Sequence, residues 1–130
     1  MSGIENSTAR YHERMAGENG GTAAESLAWN PHPKFSGVFL KHLVPGKDTG
    51  GRLSLHHVRI NPGCSIGDHT HAGQVEIHDV LDGEGSCTLA GMEIEYSPGV
   101  VGIMPADTVH RVEAGDRGLL LLATFAPPLV

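Results

Sequence analysis

A chain of 130 residues, 39% hydrophobic and 18% charged, holds enough apolar material for one modest core, so a single domain is expected. Its net charge of -6, with no stretch that gathers Lys and Arg, argues against nucleic acid or an anionic membrane as a partner. Eighteen glycines and eight prolines set between short apolar runs speak against a helical bundle and predict an all-β protein.

At the N-terminus, Met1-Ser2-Gly3-Ile4-Glu5-Asn6 has neither a positive leader nor an apolar segment, so no secretory signal is expected. No run approaches the ~20 apolar residues of a spanning helix. A cytoplasmic location follows as the expectation, and there Cys64 and Cys87 are expected to be reduced thiols. Residues 1 to 30 are polar, run through Gly17-Glu18-Asn19-Gly20-Gly21, and continue into Thr22 to Leu27, enough for one or two helical turns. They read as an N-terminal arm, either flexible or packed on a partner subunit.

From Pro31 onward the chain changes character, and residues 31 to 130 form the predicted barrel. Strand-like runs occupy Gly37 to Val44, Arg52 to Ile60, Gln74 to Leu81, Ser86 to Leu89, Val100 to Met104, His110 to Val112 and Leu119 to Phe125. Turn chemistry separates them at residues 45 to 51, Asn61-Pro62-Gly63, Asp82-Gly83-Glu84-Gly85 and residues 114 to 118. Seven short strands in a meander fit a sandwich or barrel.

Four potential metal ligands stand out along this meander: His69, His71, Glu76 and His110. Side chains two positions apart on an extended strand share a face, so His69 and His71 can address one ion. Glu76 follows within the next run and His110 arrives far downstream, so convergence of the four needs a closed sheet. Three imidazoles and a carboxylate suit Fe, Mn, Ni, Cu or Zn better than Ca or Mg, which prefer oxygen ligands. The sequence does not choose among those transition metals. By parity Gln74, Glu76 and His78 all face one way along their strand, and any of them can lie near the ion.

The spacing of these residues resembles the cupin superfamily. Its first motif places a glycine, five residues, His-x-His, three or four residues, Glu, six residues and a glycine, met here by Gly63, His69, His71, Glu76 and Gly83. Its second motif is met by Gly99, Pro105 and His110, while Asp107 stands where the motif has glycine and Ala114 where it has asparagine. The resemblance spans roughly residues 36 to 127. It implies an antiparallel jelly-roll barrel with a metal inside, often assembled as a dimer, and it selects Glu76 over Gln74 as the fourth ligand. A homodimer is also expected because small barrels leave sheet edges that need covering.

His78 would lie beside the ion, and an imidazole with a pKa of ~6.5 suits a general acid or base, although a purely structural hydrogen bond is the competing role. Of His56 and His57 only one can point inward, and neither they nor His42 are expected to be ligands. Arg59 and Arg111 are expected on the outer face, and Cys87 in the core. There is no Gly-x-Ser-x-Gly elbow and no phosphate-binding loop followed by a helix. The superfamily includes oxygenases, decarboxylases, isomerases, lyases and non-enzymatic binders, so fold leaves function open. The expectation drawn from it is a small metalloenzyme of dioxygenase or decarboxylase type acting on a small polar oxo acid or sugar acid. A metal-dependent isomerase or lyase of sugar derivatives, or a non-catalytic binding module, are the alternatives.

Overall fold

Alternation of inward apolar and outward polar side chains builds the strands, and the computed structural model describes them over residues 8–18 and 20–130. The Met1 to Asn6 stretch and Asn19 lie outside the described residues. After a short helix α1 (Thr8–Tyr11), β1 (Arg14–Gly17) and β2 (Gly20–Ala23) form a two-stranded antiparallel ladder. A 3₁₀ turn at Ala24–Ser26 leads to β3 (Asn30–Pro31), the edge of the main sheet. The rest is β4 (Val38–Val44), β5 (Ser54–Ile60), β6 (Ser65–His69), β7 (Val75–Leu89), β8 (Met92–Tyr96), β9 (Val101–Met104) and β10 (His110–Ala126).

All ladders are antiparallel, and two long strands belong to both walls of the jelly roll. The first half of β7 pairs with the last half of β10 and with β9, while its second half pairs with the start of β10 and with β8. β10 in turn carries β5 beside residues 119 to 125 and β6 beside residues 110 to 113. The Asp82 to Gly85 and Ala114 to Gly118 segments, expected as hairpin turns, are therefore bends within continuous strands. The register between β7 and β10 shifts between Ala114 and Leu119, and glycine is needed there for approach. A Cβ on Gly83 would collide with the Gly118 carbonyl, and one on Gly85 with the Glu113 carbonyl.

Inside the barrel, Val38, Val58, Ile60, Val80, Cys87, Val112, Leu119, Leu121 and Phe125 form one apolar cluster. At ~2 kcal/mol per fully buried aliphatic side chain, this cluster dominates what holds the walls together. Phe125 joins this cluster to the buried histidines, its ring 5.5 Å from His56 and 5.3 Å from His71.

Candidate metal centre

β6 ends at His69, and His71 lies beyond it in the connection to β7. Its position is fixed by backbone. The N–H groups of Gln74 and Asp107 both donate to the His71 carbonyl at 3.2 Å, and Gly73 N–H donates to the Asp107 carboxylate at 3.0 Å. Asp107 adopts φ 63, the left-handed conformation that explains why the second motif carries glycine there. Asp tolerates that conformation and adds a side-chain acceptor.

One ligand atom from each of His69, His71, Glu76 and His110 lies within 4.8 Å of the others. His69 Nδ1–H donates to the Gly67 carbonyl at 2.7 Å, and His110 Nδ1–H to the Thr108 carbonyl at 3.0 Å. In the neutral ring each bond places the proton on Nδ1 and leaves Nε2 as the ligating atom, the arrangement metal-binding imidazoles use; the Nε2–H that His110 offers Glu76 belongs to the charged ring and would be given up to a metal. His71 Nε2 and His110 Nε2 stand 3.4 and 3.2 Å from Glu76 Oε1. Burial by itself would push the Glu76 carboxyl up, but His78 beside it and hydrogen bonds from His110, His71 and His78 hold it well below the usual carboxylate range. Burial likewise lowers His69. For His110 burial is outweighed by the Glu76 and Thr108 hydrogen bonds, which raise it. The donor set is three neutral-capable imidazoles and one ionised carboxylate, which fits a first-row transition ion.

His78 sits directly behind Glu76. Its Nε2–H donates to Glu76 Oε2 at 2.7 Å, and its Nδ1 accepts from the Tyr96 hydroxyl at 2.9 Å. The side chain is 1% exposed, so any proton it exchanges with the cup passes by way of the Glu76 carboxylate. Gly102 on β9 faces His78, and a Cβ there would collide with the Tyr96 hydroxyl. Sequence reasoning missed Tyr96, because the short strand Met92–Tyr96 was not among the expected runs, and Gly102, whose role shows only in its pairing with His78.

Other polar candidates fall outside the cluster. Gln74 donates its amide to the Pro127 carbonyl. His56 points inward and is fully buried, its ring 5.5 Å from Phe125, which in turn packs against His71. Leu129 N–H donates to Ser54 Oγ, whose hydroxyl donates to His56 Nε2, and His56 Nδ1–H then donates to His42 Nδ1 at 2.8 Å. This chain requires a neutral His56, and burial followed by His42 lowers its pKa to about 4. His57 faces outward beneath residues 8 to 12, against His12 at 2.7 Å and Thr8 at 3.0 Å. Arg59 is also on the outer face, stacked on Trp29 and Phe39, and Arg111 lies near Asp68 and Glu113. Cys87 is a core residue beside Met104. Cys64 is partly buried and packs at the core's edge.

Several solved structures share this architecture. A predicted oxalate decarboxylase from Thermotoga maritima is 24% identical, with a TM-score of 0.74 over 80% of this chain and 96% of that one. KdgF from a Halomonas species is 23% identical, with a TM-score of 0.69 over 79% of this chain and 88% of that one. Ectoine synthase from P. lautus is 20% identical, with a TM-score of 0.73 over 84% and 78%. At these identities the likeness speaks for the fold. No curated protein sequence matches the chain. Among the described residues no helix is long and apolar enough to cross a membrane. The Cupin domain family matches residues 56–125, more than half of the chain, from within β5 to within β10, a stretch that carries the four clustered side chains. The chain therefore belongs to the cupin family.

Proposed function

We propose that this cupin is a metal-dependent enzyme of dioxygenase or decarboxylase type acting on a small oxo acid or sugar acid. The observation that carries the reading is the pair of imidazoles, His69 and His110, whose Nδ1 protons are held by backbone carbonyls while Nε2 faces Glu76 and His71. His69, His71, Glu76 and His110 would hold the ion. When bound, it would polarise substrate oxygens as a Lewis acid, and Fe, Mn, Ni or Cu would add redox capacity.

The protein's own part is positioning and exclusion of water. His71 is 23% exposed while Glu76 and His110 are almost fully buried, so a substrate approaches from the His71 side. Phe125 supplies an apolar wall there. His78, held by Tyr96, orients Glu76 and helps keep it ionised, and is the candidate acid or base whose contact with the cup runs through that carboxylate. The oxalate decarboxylase description of one structural neighbour supports an oxo-acid substrate. The synthase named in another supports a second reading, a metal-dependent lyase or isomerase.

The test is elemental analysis of protein purified without added ions or chelators, followed by assay of oxo acids and sugar acids under air and under nitrogen. A transition metal near one per chain and dioxygen-dependent consumption or carbon dioxide release are expected. A His69→Ala/His110→Ala variant as metal-rich as the parent would refute the site, and turnover equal in both atmospheres without carbon dioxide release would favour the second reading.

We also propose a homodimer formed through the outer face of β7 and β9. Val75 and Ile77 on β7 and Val101 and Ile103 on β9 are 37% to 60% exposed, and Ile77 pairs directly with Ile103. A row of exposed aliphatic side chains on a strand with one ladder partner among the described residues is a surface that association would cover.

A further inference from the structure

Outside the barrel, between its wall and the N-terminal residues, lies a cavity of about 500 Å³. The wall side is the outer face of β4 and β5, where Lys41 and Arg59 project. The opposite side is Thr8 and Ala9 of α1, Glu25 of the 3₁₀ turn, and Leu27 and Trp29 beyond it. Lys41 is 5% exposed, a rare state for lysine, and among the described residues its ammonium donates to a single acceptor, the Ala24 carbonyl at 3.1 Å. An ammonium has three donors, so two remain for a molecule in the cavity. The same ammonium lies 5.0 Å from the Trp29 ring centre, and the Arg59 guanidinium lies 4.7 Å from it. Two cations thus meet over one indole, in a chain whose net charge is -6.

No ion pair joins Lys41 to a carboxylate among the described residues. Burial and the nearby Arg59 work against its charge, and Glu25 at the exposed rim only partly offsets them. Burying a cation is costly unless a counter-charge is supplied. Such a pocket is built to take that charge from a ligand. Arg59 lies over both the Trp29 and Phe39 rings, 4.7 and 4.3 Å from their centres, which restricts its guanidinium before anything binds. Leu27 and the remaining Trp29 surface offer an apolar wall for whatever carries the charge.

We propose that this cavity is a second ligand site, separate from the histidine cup, that takes a small organic monoanion with its oxyanion at Lys41 and Arg59 and its apolar part against Leu27 and Trp29. Among the described residues the lining holds Lys41, Arg59 and Glu25, two positive charges and one negative, which suits a monoanion better than a polyphosphate. Because residues 8 to 29 supply five of the seven lining residues, occupancy would also pin the N-terminal segment to the sheet.

Trp29 is the chain's one tryptophan, so its indole N–H resonance reports on this cavity alone. Benzoate titrated at constant ionic strength should shift that resonance saturably, and benzyl alcohol, its neutral counterpart, should not. Lys41→Met should weaken benzoate at least tenfold, Glu25→Gln should tighten it severalfold, and His69→Ala should leave it unchanged. A linear or absent benzoate response, an equal response to benzyl alcohol, or parental affinity in folded Lys41→Met protein overturns the proposal. Should Lys41→Met fail to fold, Glu25→Gln decides: affinity equal to or below the parent's overturns it as well.

Discussion

Asp107 clasps the loop of His71 from both sides, its backbone N–H on the His71 carbonyl and its carboxylate on the Gly73 N–H. This links the turn before β10, where His110 begins, to the loop that carries His71. Two potential ligands from distant parts of the sequence are thereby set relative to each other by one residue. Asp107→Gly keeps the left-handed φ but loses the carboxylate bond, worth about 1 kcal/mol. Its fold should persist while metal affinity drops, within the ~10–100-fold range seen when groups behind a ligand are removed. Asp107→Val meets β-branched strain at φ 63 in addition and should lose both stability and metal. Thermal melts beside metal titrations check the pair, and equal affinity in parent and Asp107→Gly protein would refute the clasp.

The Tyr96 hydroxyl and Gly102 share one small space behind His78. Tyr96→Phe removes the donor to His78 Nδ1, and leaving that buried acceptor unmet should cost about 1–3 kcal/mol. Gly102→Ala should cost more, since its Cβ would displace the hydroxyl. The two changes occupy the same volume, so their costs should not add: Gly102→Ala should be milder in the Tyr96→Phe background. A double-mutant cycle by urea unfolding measures this. Strict additivity would show that the hydroxyl is not what Gly102 accommodates.

The cluster of His69, His71, Glu76 and His110 was legible from motif spacing, a local property of the chain, although His71 lies past the end of the strand that was expected to carry it. The two long strands were not. Gly83, Gly85 and Gly118 look like turn residues in sequence, and only the pairing of β7 with β10 reveals that they serve close backbone approach within continuous strands. Met92–Tyr96 was missed although Met92, Ile94 and Tyr96 alternate with Glu93 and Glu95, because five residues give a short signal, and the strand expected through His69 to His71 ends at His69. His78 was read correctly as inward, yet its partner Tyr96 came from the unseen strand. The outer pocket was equally hidden, since Lys41 and Arg59 are brought under Trp29 by cross-strand register and by the path of the N-terminal residues.

Ile103 sits at the centre of the exposed aliphatic row, 60% exposed and opposite Ile77. If that row is the dimer face, Ile103→Lys places a charge at the most desolvated point of the interface. Dissociation should rise by tenfold or more, whereas the monomer fold should be unaffected because the side chain leaves no core contact. Light scattering across a dilution series is the measurement. A parental mass of one chain at every concentration would remove the dimer altogether.

Acid should unfold this protein through His56 and His57. Both are fully buried, and burial is the main reason their pKa values fall to about 4 and about 3. In the unfolded chain each returns to ~6.5. Above that value neither state carries the proton, and the folded state keeps its full stability. As pH drops below it, the unfolded chain binds protons that the folded protein refuses, and stability falls by up to about 1.4 kcal/mol per pH unit for each histidine. The loss continues until the folded imidazoles also protonate, near 4 for His56 and near 3 for His57. His57→Gln retains polar atoms that can meet Thr8 and His12 but does not titrate. Urea unfolding of chelator-treated protein from pH 7 to pH 5 should therefore show a shallower acid slope for His57→Gln than for the parent, by about one proton's worth. Identical slopes would mean that His57 is protonated in the fold, which its position between His12 and Lys41 opposes.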